Sequence, residues 1–393
     1  MRLGALVLAA TLAIGCGSGS SVSRPDAAAT GGAAAGAGAT AGAEGGSPGT
    51  GGTGGSGGVA CDTAFAAHNI KIWKQFQRTS LSDISDAPNG ITAGPDGNIW
   101  FTLSHAGDTA GDSFGRLATD GTVTLFPVLT PPGQYAVSGV NYITSGLDGN
   151  LWITEETAIA KATPSGSVME FPVGTTDTPS RIIYASSGLI WFVSDGLDGI
   201  ITHVDMTGGN PSMITLPKTC DTCLEPEVLS IAEGLDSDVW VLAAVGNGGT
   251  SGVARIKSDG SLVWIGLPGI ALEDNASQIV LGSDKNMWVT GPAQISRFAP
   301  SDIAADTYMS FKIPSGALAR GIASGADGNM WFSEYNKAAL GSVPSTGEVN
   351  EITWSSECGV AGGDLATGPD GNIWFVMPAS GNQYGSIAQI TVH

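Results

Sequence analysis

The chain has 393 residues, a formal net charge of −20 and only 13% charged residues. Such an acidic, sparsely charged chain has no basic surface to lay along a phosphate backbone, which excludes nucleic acid as a partner. Residues 61–393, a stretch of 333, exceed what one compact core ordinarily holds, so units that each pack only on their neighbours are expected.

The N-terminus reads as a targeting segment. Met1 and Arg2 precede an apolar run over residues 3–14, too short to span a bilayer permanently and typical of a secretion signal, here covering residues 1–15. It ends in Leu12-Ala13-Ile14-Gly15-Cys16, which resembles a bacterial lipoprotein signal with Cys16 as the lipidated residue; ordinary signal-peptidase cleavage is the alternative. Residues 16–60 are mostly Gly, Ala, Ser and Thr. With no large apolar group to bury, they are expected to form a disordered tether, and ~40 such residues hold a folded domain ~35 Å from its anchor on average. The expected location is extracytoplasmic: a bacterial lipoprotein of the cell envelope or a secreted protein, with the lipid as its only membrane contact.

Residues 70–77 (IKIWKQFQ) form a strand-like stretch with no partner nearby in the chain. After it, one unit recurs seven times, most plainly as GITAGPDGNIWFT over 90–102 and DLATGPDGNIWFV over 364–376. Its tryptophans are Trp100, Trp152, Trp191, Trp240, Trp288, Trp331 and Trp374, spaced by 52, 39, 49, 48, 43 and 43 residues. Nine residues before each stands an aliphatic: Ile91, Ile143, Ile182, Ile231, Ile279, Ile322 and Leu365. That period, carried by short period-two strands, predicts propeller blades of four strands. In the first unit the strands are expected over 89–94, 98–103, 114–119 and 122–127. The Asp-Gly-Asn between the first two is a tight turn, because Gly97 or Asn98 accepts positive φ. An Asx hydrogen bond accounts for the turn aspartates better than a calcium site does. The tryptophans are expected to pack blade on blade.

The seventh unit supplies strands over 363–368, 372–377 and 385–392, and its fourth is missing. Residues 70–77 match that missing strand, so the expected fold is all-β. It is a seven-bladed propeller of four-stranded antiparallel blades, with its ring closed by pairing of the two ends.

With Cys16 assigned to lipid, Cys61, Cys220, Cys223 and Cys358 remain, and export permits disulfides. Cys220 and Cys223 read as a local loop disulfide, with a redox pair or a zinc half-site as alternatives, though no nearby histidine supports zinc. Cys61 and Cys358 are left to pair with each other, since one precedes the closing strand and the other the blade it closes; sequence does not show whether they come within reach.

The GPDGNIWFT repeat, a third strand such as Phe114-Gly115-Arg116-Leu117 and a fourth such as Glu170-Phe171-Pro172 resemble the virginiamycin B lyase family, also called streptogramin B lyases. The similarity covers nearly all of 70–393. It implies a propeller that opens a cyclic depsipeptide at its ester by elimination, with Mg2+ assisting and a histidine taking the proton next to a carbonyl. The family's histidines stand two residues before the aliphatic of the first strand. Those places here hold Asn89, Asn141, Ser180, Leu229, Ser277, Arg320 and Gly363. The four histidines lie elsewhere, as His68, His105, His203 and His393, and of these only His105 is expected to overlook the funnel. The glutamate that follows the family's Trp-Phe-Thr is matched by Glu155 and Glu334, and Glu334 with Arg320 would form an ion pair across the rim.

Two readings follow. One is a monomeric propeller of lyase ancestry that binds a small molecule, peptide or glycan over Asn89, Asn141, Glu155, Arg181, Arg320, Glu334 and Asp364. The other is an active carbon–oxygen lyase in which His105, Glu334 or Glu155 replaces the missing base.

Overall fold

Where the repeat reads Asp-Gly-Asn, the chain reverses as the side chains dictate. Asp96 accepts the backbone N–H of Asn98 at 3.2 Å and its side-chain amide at 2.8 Å, while Gly97 takes φ +77°. The same aspartate accepts the indole N–H of Trp100 at 2.9 Å, and Asp284, Asp327 and Asp370 hold Trp288, Trp331 and Trp374 alike. Burial alone would raise the pKa of Asp96, Asp284 and Asp370, yet these hydrogen bonds hold each below the ordinary carboxylate value. Facing the tryptophan on the third strand is often a cation: Arg116, Lys161, Arg255 and Arg297 lie over the rings of Trp100, Trp152, Trp240 and Trp288. Lys161, Arg255 and Arg297 also pair with Asp148, Asp238 and Asp284. The turn aspartates are thus each engaged by a ring or a cation, and Asp284 by both, at the end of the blade opposite the funnel.

The computed structural model describes residues 58–76, 86–105, 113–128, 139–173, 178–195, 199–207, 211–221, 223–246, 249–268, 270, 272, 277–301, 308–335, 337–378 and 385–392. The expected signal segment, Cys16, most of the expected tether, His393 and the side chain of His105 lie outside them. The described strands form seven four-stranded antiparallel sheets. Six use consecutive strands; the seventh joins Leu365–Thr367, Ile373–Met377 and Gly385–Ile390 to the N-terminal Ile70–Phe76. The closing strand pairs Ile70 with Ile390 and Phe76 with Gly385, bulging between Ile72 and Lys74. Trp73 in that bulge packs on Trp374, ring centroids 5.1 Å apart, and donates to Gln389 at 3.1 Å.

The tether is expected to run to residue 60, but a helix already begins at Gly58 and runs to Ala66. It buries Phe65 against blade seven, and Cys61 on it is bonded to Cys358 with a Cα separation of 5.4 Å. Cys220 and Cys223 are bonded to each other.

Each tryptophan packs toward the following blade. Trp100 joins Ile143, Leu151 and Ile153 of blade two, and Trp374 of blade seven joins Ile91, Ile99 and Phe101 of blade one. Seven such clusters alternate with the seven sheets around the ring. Burying one of these side chains stabilises by roughly 2–3 kcal/mol.

In blade one the first strand is Asp86–Ala93, starting three residues before the expected 89. Its register with Ile99–His105 breaks between Pro88 and Ile91. Proline lacks an N–H and looks like a strand boundary in sequence, but at a bulge no ladder hydrogen bond is required. Equivalent breaks fall between Pro179 and Ile182, Val228 and Ser230, and Ala319 and Ile322. They lie just ahead of the aliphatic, where the blade faces the axis.

Candidate functional site

The first strands of adjacent blades pack on one another around the axis, so residues at their bulges line the centre of one face. The second strands end at the same face: Asp86 pairs with His105 and Leu318 with Tyr335. Asn89, Asn141, Arg181, Arg320 and Asp364 therefore share an end of the ring with Glu155, Glu334 and the backbone of His105.

Three side chains meet at the axis. Asp364 Oδ1 accepts from Arg181 Nη1 at 3.3 Å and from Gln278 Nε2 at 3.1 Å. These residues belong to blades seven, three and five, which are not neighbours, so the bonds span the central opening. The Arg181 and Asp364 side chains are 13% and 16% exposed, and partial burial makes the pair stronger than a surface ion pair. The Arg181 guanidinium also lies 4.0 Å from the ring centre of Tyr142, a cation–π contact.

Around this bridge the bonds run sideways. Asn141 donates to the Pro179 carbonyl at 3.2 Å and Arg320 Nη1 to the Gly362 carbonyl at 3.2 Å, with the Arg320 guanidinium over Tyr335 at 5.3 Å. A second-strand hydroxyl two residues after the tryptophan locks several bulges. Thr102 accepts from Gly90 N–H at 2.8 Å and donates to the Asn141 carbonyl at 2.9 Å. Thr290 accepts from Gln278 N–H at 2.7 Å and donates to the Arg320 carbonyl at 3.2 Å. Ser333 does the same for Gly321 N–H and the Gly363 carbonyl, at 3.0 and 2.7 Å. Asn89 is half-buried on the same rim.

The expected Glu334–Arg320 ion pair does not form. Glu334 pairs in register with Ala319, and the bulge that follows turns Arg320 toward Gly362. The Glu334 side chain is instead fully buried, accepting from Ser315 Oγ at 3.0 Å beside Glu351, which holds the Ser315 N–H. Burial, with Glu351 alongside, raises the Glu334 pKa to about 7. Glu155 is half-buried at the end of its blade's second strand. His203 packs tilted against Trp191, ring centroids 4.4 Å apart, in a third strand, where burial lowers its pKa.

Sequence reasoning missed Gln278, Tyr142, Ser315 and Glu351. A signal for the first two was present. Arg181, Gln278 and Asp364 all occupy the position immediately before the repeat aliphatic, as does Tyr142, and that position reaches the axis. Alignment two residues before the aliphatic instead selects the residues that bond sideways.

Comparisons with known proteins agree with this architecture. No curated protein matches the chain by sequence. Among solved structures, a streptogramin B lyase is 21% identical with a TM-score of 0.62, covering 82% of this chain and 98% of that one. The selenomethionine-substituted virginiamycin B lyase from Staphylococcus aureus is 22% identical with the same score, covering 82% of this chain and all of that one. A catalytically inactive histidine-to-alanine variant of the Staphylococcus aureus enzyme, solved with quinupristin, is 21% identical, also at 0.62, with the same coverage. The family model for virginiamycin B lyase matches residues 67–220 and 223–393, nearly the whole propeller, and the chain belongs to that family.

Proposed function

We propose that this chain is an exported, lipid-anchored propeller that binds a ligand on its funnel face without the family's elimination chemistry. The observation that carries this reading is the axial bridge. Where the family resemblance implies a histidine base, the rim holds Asn89, Asn141 and Arg320, and the centre holds Arg181 bonded to Asp364. The relative solved with quinupristin is a catalytically inactive histidine-to-alanine variant, and here none of the seven places two residues before the repeat aliphatic holds a histidine. A guanidinium protonated at every accessible pH takes no proton from carbon. It does donate to carbonyl or carboxylate oxygens, and among the described residues Arg320 gives one such bond, from Nη1 to the Gly362 carbonyl. A small molecule, peptide or glycan rich in acceptor oxygens suits this rim.

The axial donors do not fit a magnesium ion. Asp364 Oδ1 is committed to Arg181 and Gln278, and the Arg181 guanidinium bonded to it repels a dication. Titration of a streptogramin B followed by calorimetry and mass spectrometry tests the reading. Binding without ring opening, lost in Arg320→Ala and Glu155→Ala, supports it; ring opening, or binding unchanged in both variants, overturns it.

The lyase reading retains one supporting observation, the Glu334 carboxyl raised to about 7, suitable for a base near neutrality. Against it, that carboxyl is fully buried beside Ser315 and Glu351. Ring opening abolished by Glu334→Gln or by His105→Ala would favour it.

A further inference from the structure

The two disulfides differ in what they do for the chain. Cys61–Cys358 joins residues 297 apart in sequence, whereas Cys220–Cys223 joins residues only 3 apart. Loop-closure entropy makes the first a strong restraint on the unfolded chain and the second the weaker of the two. A short-range bond of that kind invites a chemical rather than a structural role.

Its surroundings support one. Cys220 is exposed while Cys223 is 4% exposed, so one sulfur is open to attack and the other is shielded. The Thr219 hydroxyl lies 3.5 Å from Cys223 Sγ and donates to it, and the Cys223 N–H donates to the Cys220 carbonyl at 3.2 Å. A donor at the buried sulfur stabilises it as a leaving thiolate. Beside the exposed sulfur lies a cleft of about 420 Å³, walled by Thr219, Cys220, Thr250, Trp264 and Pro268. Trp264 sits on Leu262–Gly266, the free outer edge of blade four.

We infer that Cys220–Cys223 is a thiol–disulfide exchange site, distinct from the funnel, that accepts a substrate thiol in the Trp264 cleft. The substrate thiolate attacks Cys220 Sγ, forming a mixed disulfide; the Cys220–Cys223 bond breaks and its electron pair leaves on Cys223, which takes up a proton. A second substrate thiolate attacks the substrate sulfur of that mixed disulfide and releases a substrate disulfide and the Cys220 thiolate. Two thiols are oxidised, and the protein disulfide gains two electrons and two protons. Exchange with an external low-molecular-weight disulfide reverses these steps and restores the bond. The substrate thiol belongs either to a free amino thiol or to a peptide lying along the blade edge with an apolar residue on Trp264.

The test uses the full chain incubated with cysteine, or with a cysteine peptide carrying an adjacent phenylalanine, then acid-quenched, alkylated and mapped by mass spectrometry. Cys220–Cys223 is expected to open at least tenfold faster than Cys61–Cys358, with the adduct on Cys220. Given cystine in place of cysteine, the Cys220 thiolate of Cys223→Ser is expected to attack it, release one cysteine and keep the other as a mixed disulfide, whereas Cys220→Ser is expected to resist the adduct, although both lack the same bond. A Trp264→Ala variant slowed about fivefold toward the peptide alone assigns the peptide as substrate; equal rates assign the free amino thiol. Opening no faster than that of Cys61–Cys358, or an adduct forming equally in Cys220→Ser and Cys223→Ser, overturns the proposal.

Discussion

Arg181 and Asp364 are separated by 183 residues in the chain and by 3.3 Å at the axis of the ring. Their bond joins blade three to blade seven, and Gln278 brings blade five to the same oxygen. Three blades that share no interface are thereby coupled through one carboxylate. Charge and geometry both matter, since Asp364 would otherwise face the axis partly desolvated and without a cation.

Arg181→Met is expected to destabilise the propeller by about 2 kcal/mol, because it leaves the Asp364 charge with one neutral donor. Asp364→Asn should cost less, since an amide oxygen still accepts from Gln278. A double-mutant cycle in urea should return a coupling of ~1–2 kcal/mol. Strictly additive single variants would show that the pair contributes nothing across the opening.

The hydroxyl latch leads to a second expectation. Thr290→Val keeps the shape but removes the acceptor for Gln278 N–H and the donor for the Arg320 carbonyl. Gln278 is 4% exposed, so its stranded N–H costs roughly 1–3 kcal/mol. Both rim residues are positioned through that hydroxyl. Ligand affinity at the funnel should therefore fall together with stability, as calorimetry on the folded variant would read out.

The parts legible in sequence were those set by a local rule. Asp-Gly-Asn followed by Trp specifies a hairpin and a buried ring within a handful of residues, with an indole hydrogen bond at Asp96, Asp327 and Asp370, so the wheel and its closing strand could be read directly. The axial bridge could not. Nothing near Arg181 indicates Asp364, because their meeting depends on the closure of seven blades and on bulges that turn the preceding residue inward. Glu334 shows the same limit: its place after Trp-Phe-Ser suggests a rim residue, while Ser315 from a turn and Glu351 from another strand place it in the interior.

That interior glutamate makes stability depend on pH. Its folded pKa, about 7, stands above the ordinary carboxylate value of 4.5, so the native state holds a proton that the unfolded chain has released. The resulting stabilisation is full below the ordinary value, declines as pH rises between it and 7, and is gone above. Over that window the loss is on the order of 2–3 kcal/mol. Glu334→Gln keeps a donor toward Glu351 without the titration, and its melting temperature should exceed that of the unmodified chain at pH 8 and match it near pH 4.5. Parallel pH profiles for the two proteins would remove the effect from Glu334.

Ring closure rests on a short strand and one covalent bond. The strand Ile70–Phe76 supplies the missing edge of blade seven, and Cys61, just ahead of it, is tied to Cys358 at the entrance of that blade. Cys358 lies four residues before Gly362, whose carbonyl holds Arg320, and six before Asp364. The disulfide therefore restrains both the seam and the segment that feeds the axis. In the loop-entropy account, a closure this long stabilises by up to ~5 kcal/mol. Cys61→Ser and Cys358→Ser should each lower the urea midpoint by the same amount, and the double variant should add nothing further. Exchange of the amides in 70–76 and 385–390 should rise before that of other blades, because an opened seam exposes this edge first. Uniform exchange across all seven blades would mean that the ring opens elsewhere and that the bond merely decorates a seam already held by Trp73 on Trp374.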